Sequence, residues 1–157
     1  MTVSGETPSH RAFENFYLSE LDSQVRRAVL LLGSNDAAND VVHDAFIEIY
    51  RRWDELDEPG PYLHVAVLNR CRGVHRRASR LRRNMPRFID RDPVRNDVEE
   101  SLRDVLATLA FNHRAAIVLK FYFGLSTTEI AAELDCAPGS VGPWIQRGLD
   151  RMRKALP

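Results

Sequence analysis

Apolar side chains recur at three- and four-residue steps along most of this 157-residue chain, a spacing that predicts helices almost throughout. Phe13, Tyr17, Leu21, Val25, Ala28 and Leu32 form one stripe, with Phe16 beside Tyr17, and Gly33 suits the C-terminus of that helix. A turn over SNDAAN separates it from a second stripe of Val42, Ala45, Ile49, Trp53 and Leu56. The opposite side of this second helix is acidic, with Asp40, Asp44, Glu48 and Glu55. DEPGP interrupts it, and Pro61 suits the first turn of a third helix that buries Leu63, Val67, Cys71 and Val74. On the other side of the third helix stand Asn69, Arg72, Arg76, Arg80 and Arg83.

Beyond Leu81 the rhythm fails. Residues 85–97, MPRFIDRDPVRND, hold two prolines, alternating charges and few core candidates, and read as a linker. Four shorter helices follow. Asp97 to Glu100 resembles a capping box ahead of Val98, Leu102, Val105, Leu106 and Leu109. Asn112 can cap a helix with Ala116, Ile117, Leu119, Lys120 and Phe123. Ser126 and Glu129 form an S-x-x-E box before Ile130, Ala131 and Leu134. The turn DCAPGS leads to a last helix with Ile145, Leu149, Met152 and Leu156. No segment alternates with period two for long enough to be a strand. The expected fold is all-α, with two small helical domains at 1–84 and 98–157.

Composition narrows the class. At 44% hydrophobic and 28% charged, the chain is rich enough in core formers for one ordinary domain or two small ones. No apolar run approaches the roughly 18 residues a membrane span needs. MTVSGETPSHRAF lacks a basic segment leading into an apolar run, which predicts no secretory leader. Cys71 and Cys136 stand far apart without a CxxC pattern, which argues against a disulfide scaffold or zinc site and predicts a reduced, cytoplasmic protein.

The formal net charge of zero conceals segregation. Residues 1–58 carry 5 basic and 12 acidic side chains, and residues 69–91 carry nine arginines against Asp90 alone. Of the 22 basic residues 20 are arginine, which forms bidentate pairs with phosphates and guanine edges that lysine cannot reproduce. So dense an arginine run has no internal i,i+4 acidic partners to make it a merely solvated face, and it reads as a phosphate footprint. Asn69 adds a group able to read a base. STTEIAAELDCAPGSVGPWIQRGL has the layout of a helix-turn-helix, with Ala131 at the crossing and Ile130, Leu134, Val141 and Ile145 as its hinge.

Taken together these segments resemble the extracytoplasmic-function (ECF) sigma factors, two-domain bacterial transcription initiation factors of the sigma-seventy family, over essentially the whole chain. FENFYLSELDSQVRRAVLLLG is similar to the opening helix of sigma region two, and DVVHDAFIEIYRRWDEL to its polymerase-binding segment. PYLHVAVLNRCRGVHRRASR resembles the segment that melts and reads the −10 element. FNHRAAIVLKFYFGLSTTEIAAELDCAPGSVGPWIQRGLDRMRKAL resembles region four, which reads the −35 element.

The resemblance implies a role for each feature. Asp40, Val41, His43, Asp44, Phe46 and Glu48 would dock on core RNA polymerase. Tyr62, Asn69, Arg70, Arg72, Arg76 and Arg77 would hold the −10 strand, with the loop before Pro61 and Tyr62 capturing a flipped base. Ser140, Trp144, Gln146, Arg147 and Arg151 would meet the −35 duplex. Residues 1–84 would be region two and 98–157 region four. The implied partners are core polymerase and promoter DNA; the sequence leaves open whether an anti-sigma factor is another. No cofactor, metal or catalytic residue is expected. His10, His43, His64, His75 and His113 are scattered, and neither a phosphate-cradling glycine loop nor a nucleophile elbow is present.

The last helix departs from the family. Where the family commonly reads G-T-V-K/R-S-R-L, this chain reads Gly139-Ser140-Val141-Gly142-Pro143-Trp144-Ile145. A helix begun near Ala137 would carry Pro143 in its second turn at a cost of ~3 kcal/mol. A start at Pro143 capped by Gly142, or a kink there, is therefore expected. Gly73 also stands where the family often has an acid. These departures keep two other readings in view: a sigma-like decoy or mimic that does not start transcription, and a plain helix-turn-helix regulator, which would leave the first 85 residues unexplained.

Overall fold

The computed structural model describes residues 8–82 and 97–155. Its described residues are helical without a strand: α1 (Pro8–Leu32), α2 (Asn35–Arg51), a 3-10 turn (Trp53–Glu55), α3 (Pro59–Arg82), α4 (Asp97–Ala107), α5 (Phe111–Ile117), a π-helical continuation (Val118–Tyr122), α6 (Thr127–Leu134) and α7 (Pro138–Ala155).

α1, α2 and α3 form one bundle. Gly33 ends α1 with φ 75° and a 2.7 Å bond from its N–H to the Val29 carbonyl, the left-handed stop expected of it. α2 starts inside the expected turn. Ser34 caps it, its side chain accepting from the Ala37 N–H, so SNDAAN is mostly helix. α2 also ends earlier than the stripe suggests, at Arg51, and Trp53 and Leu56 pack onto the core from the following turn. Phe46 anchors the bundle, its ring 4.8 Å from Tyr17 and 6.1 Å from Phe16. Leu63, Val67, Leu68 and Cys71 bring α3 fully into this core.

α4 to α7 form the second bundle. The linker reading of 85–97 falls outside the described residues except at Asp97, where α4 begins, and the side chains of the expected Asp97–Glu100 box lie outside them as well. Val105, Leu106 and Leu109 are buried, but Leu102 is 40% exposed against expectation. Asn112 lies inside α5, whose N-cap is Ala110 without a side-chain bond. The Ser126 box forms in both directions: Ser126 Oγ accepts from the Glu129 N–H at 3.2 Å, and Glu129 Oε1 accepts from the Ser126 N–H at 3.1 Å. α7 begins at Pro138, before the expected start at Gly142 or Pro143, and runs through Pro143. Gly148 allows the α5–α7 crossing, since a Cβ there would stand 2.4 Å from Ile117 Cδ1.

The two bundles share one apolar core. Arg114, buried on α5, joins them by donating to the Leu31 carbonyl at the end of α1 and to Ala107 and Leu109 carbonyls at 3.2 and 3.1 Å.

Candidate nucleic-acid and protein interfaces

α2 turns two kinds of residue to opposite sides because its apolar positions repeat at helical spacing. Asp40, His43 and Asp44 are exposed, and Glu48 is half-buried. Val41 and Phe46, assigned above to the polymerase surface, are 5% and 3% exposed. They are core residues that hold α2 in place and offer no surface of their own. Ile47 and Tyr50 supply exposed apolar area on this helix instead. Asp44, Ile47, Glu48, Arg51, Arg52 and Arg70 line an open groove of about 390 Å³, so the face is mixed in charge where the sequence suggested an acidic stripe.

Glu48 and Arg70, assigned to different partners, bind each other. Arg70 Nη2 lies 2.9 Å from Glu48 Oε2, Tyr62 Oη donates to Glu48 Oε1 at 2.9 Å, and Arg52 Nη1 donates to Tyr62 Oη. Partial burial pushes the Glu48 carboxyl up, but the bonds from Tyr62 and Arg70 and the charges of Arg70 and Arg52 outweigh it and hold the group below its ordinary value. Glu48 therefore stays ionised and holds Tyr62 and Arg70 in position.

Those two side chains line a second groove of about 480 Å³ with Val65, Ala66 and Asn69. Three of the six residues expected to hold a −10 strand thus surround one opening, with an aromatic ring, an amide and a guanidinium on its walls. Arg76 and Arg77 lie exposed farther along α3, about 10 Å from Asn69 at 1.5 Å per residue. Arg72 does not line the groove, although its Nη1 donates to Asn69 Oδ1 at 3.4 Å. Its Nη2 donates to the Leu134 carbonyl at 3.4 Å, and its guanidinium carbon lies 5.7 Å from the Phe111 ring centre. Arg83 is outside the described residues.

In the second bundle, α6 and α7 build the helix-turn-helix. Ile130, Ala131, Leu134, Val141 and Ile145 are all buried, as the hinge requires. The turn is shorter than DCAPGS. Asp135 takes the left-handed conformation at φ 53°, and the Cys136 and Asp135 N–H groups bond back to the Ala131 and Ala132 carbonyls. This is a Schellman stop with aspartate where glycine is usual. Gln146, Arg147 and Arg151 are exposed along α7. Ser140 and Trp144 are half-buried, and Trp144 packs on the core, so less of its indole is offered to a ligand than the sequence implied. His113 on α5 has its pKa lowered, first by burial and then by the charge of Arg147.

Burial also raises the Cys71 thiol to about 12, leaving it protonated and unreactive. Among the described residues no group of three His, Cys, Asp or Glu could hold a metal ion. No described helix is long and apolar enough to cross a membrane.

An all-helical chain with an arginine-bearing helix in its first half and a helix-turn-helix in its second is the class of protein these elements define. Residues 17–81 match sigma-70 region 2, and residues 99–152 match sigma-70 region 4. The chain is 28% identical to the RNA polymerase sigma-E factor of Streptomyces coelicolor, over 92% of this chain and 85% of that one. It is also 28% identical to the ECF RNA polymerase sigma factor SigE of Mycolicibacterium smegmatis, over 98% of this chain and 65% of that one. Its fold is similar to that of the sigma factor RpoE of Bartonella quintana, solved with the anti-sigma factor NepR, at a TM-score of 0.77, 21% identity and 92% and 96% coverage. It also resembles CnrH, solved with the cytosolic domain of CnrY, at a TM-score of 0.68, 23% identity and 92% and 86% coverage. The chain belongs to the sigma-70 family, in its ECF group, and is a non-enzymatic transcription initiation factor.

Proposed function

We propose that the labour is divided along the chain, with 1–84 docking on core polymerase and opening the −10 element, 85–97 linking, and 98–157 reading the −35 element. Asp40, His43 and Asp44, with Ile47 and Tyr50, form the polymerase face, and Val41 and Phe46 act by fixing that helix. Tyr62, Asn69 and Arg70 take an unstacked base in their groove, while Arg76 and Arg77 hold phosphates of the same strand. Extruding a base costs a few kcal/mol, which stacking and hydrogen bonds in such a groove offset. Gln146, Arg147 and Arg151 meet the −35 duplex, with Ser140 and Trp144 in lesser roles. The observation that carries this reading is the groove itself. It gathers three residues of the expected −10 set on the helix that bears the exposed arginines.

The site of action is the cytoplasm, where polymerase works. An anti-sigma factor is a further partner in this reading, supported by the likeness in fold to RpoE, which was solved bound to one. The test is in vitro transcription from a genomic library with purified core polymerase, sequencing the 5′ ends. Shared −35 and −10 elements upstream of the starts are expected. Asp44→Arg should remain folded and lose co-purification with core polymerase. Unchanged co-purification would remove α2 from the interface, and a wild-type chain that binds polymerase yet starts no transcripts would be a decoy.

A further inference from the structure

The two open grooves of the first bundle are halves of one feature. The groove of about 480 Å³ beside Tyr62 and Asn69 and the groove of about 390 Å³ beside Arg51 and Arg52 share a wall made of Glu48 and Arg70. A hydrogen-bonded chain runs through that wall. Arg70 Nη2 donates to Glu48 Oε2 at 2.9 Å, Tyr62 Oη donates to Glu48 Oε1 at 2.9 Å, and Arg52 Nη1 donates to Tyr62 Oη. An aromatic ring on one side and a guanidinium on the other are thereby held in fixed relation.

The chemistry differs across the wall. On the Tyr62 side are a ring, the Asn69 amide and the apolar flanks of Val65 and Ala66, which suit the face and edge of a base. On the other side the guanidinium groups of Arg51, Arg52 and Arg70 outnumber the carboxylates of Asp44 and Glu48. One phosphodiester group would neutralise that excess. Donors remain to hold it, since a guanidinium carries five N–H groups in a fork that matches phosphate. Arg52 gives one nitrogen to Tyr62, sets another 3.6 Å from Glu55, and stays 46% exposed. Arg51, exposed in the last turn of α2, makes no hydrogen bond or ion pair among the described residues.

We propose that the two grooves seat one nucleotide of the unpaired −10 strand, its base beside Tyr62 and Asn69 and its phosphate between Arg51 and Arg52. The proposal rests on the sigma-factor reading above and adds two residues to the ligands of the strand. Two helices then grip one nucleotide, α3 by the base and α2 by the backbone, which fixes the base relative to its phosphate. The seat also sets where polymerase stops on α2. Asp44 and Ile47, about two turns and one turn before Arg51, belong to the protein face, and the last turn belongs to DNA. A free nucleoside monophosphate presents the same two groups. Arg76 and Arg77, exposed on the helix that carries Asn69, favour the strand, because only a strand brings further phosphates to them.

The test measures binding of the full chain, without polymerase, to a fluorescein-labelled single-stranded DNA of about 12 nucleotides and random sequence across a salt titration. A second probe has the same backbone made abasic throughout. Arg51→Ala should weaken binding to the base-bearing strand on the order of fivefold and lower its salt slope by about 0.7, the value for one phosphate on a single strand. On the abasic strand its effect should be clearly smaller, because without an anchored base no phosphate is held at Arg51. Arg51→Lys, with a point charge in place of the fork, should show part of the affinity loss, and it carries the test if circular dichroism shows that the alanine variant has lost helix. An equal loss on both strands would mark a diffuse charge effect and overturn the proposal, as would no loss on either. Co-purification of Arg51→Ala with core polymerase should match wild type. Lost co-purification with unchanged strand binding would give the groove to polymerase and overturn the proposal. So would displacement of the strand by micromolar free deoxynucleoside monophosphates. The strand measurements need no polymerase, so a failed seat shows as an Arg51→Ala chain that binds both strands like wild type while wild type still initiates. A failed sigma reading shows as a wild-type chain that starts no transcript with core polymerase, and it overturns the proposal too.

Discussion

At position 143 a proline lies in the second turn of α7, where it denies the Gly139 carbonyl its intrahelical donor at a cost of ~3 kcal/mol. The helix nevertheless begins at Pro138, and Val141 shows why. That side chain is fully buried, which stabilises by roughly 1.5–3 kcal/mol, and melting the first turn would forfeit it. Pro138 favours the same start, its missing N–H being one that a first helical residue does not use. Gly139, Gly142 and Pro143 are all exposed, so water can serve the orphaned carbonyl. Pro143→Ala should therefore raise stability by about 1–3 kcal/mol, read from denaturant midpoints. No change, or a loss, would mean that the first turn of α7 is not helical in solution. Arg114 makes the complementary point. Its charge meets carbonyls at the ends of α1 and α4, where helix dipoles favour a cation, yet its local sequence looks like any helix interior.

At the scale of elements, α7 and α5 are coupled through Arg147 and His113. Burial first, and then the charge of the guanidinium, keep the imidazole neutral, so its pKa is depressed. If Arg147 pairs with a phosphate, that repulsion is screened and the His113 pKa should climb toward its ordinary value on binding a −35 duplex. Imidazole chemical shifts followed against pH, with and without duplex, would read this directly. An unmoved or further lowered pKa would take Arg147 off the DNA. The capping box at Ser126 and Glu129 was visible in the sequence because both partners lie within one turn. The start of α2 was not, since SNDAAN has the composition of a loop and becomes helical only where Ser34 caps it and Ala38 is buried.

At the scale of the molecule, the charge segregation places an arginine helix beside a mixed groove. Arg76 and Arg77 are exposed and make no ion pair among the described contacts, so their alanine double variant should lose two phosphate contacts. The slope of log affinity against log salt for an open promoter complex should fall by roughly 1.4–1.8. A slope unchanged across a salt titration would return these arginines to solvation alone. Arg70 belongs to a different category. Its pairing with Glu48 makes it a wall of the groove before it is a phosphate ligand, and Arg72 is held by α6.

What the sequence determined by itself were the features that repeat or close within a few turns: the helices, the glycine stop at 33, the Ser126 box, the buried hinge of the helix-turn-helix and the arginine face. Periodicity and capping are local, and the side chains involved sit on their own helix or the next. Tertiary structure decided which residues of those faces remain free. Val41 and Phe46 went to the core, Trp144 partly so, Glu48 and Arg70 became partners across two helices, and Arg27 found Glu133 more than a hundred residues away. The physical reason is that desolvation and pairing depend on what the rest of the chain brings to a surface. A helix's own residues specify the direction in which a side chain points but not what it meets there.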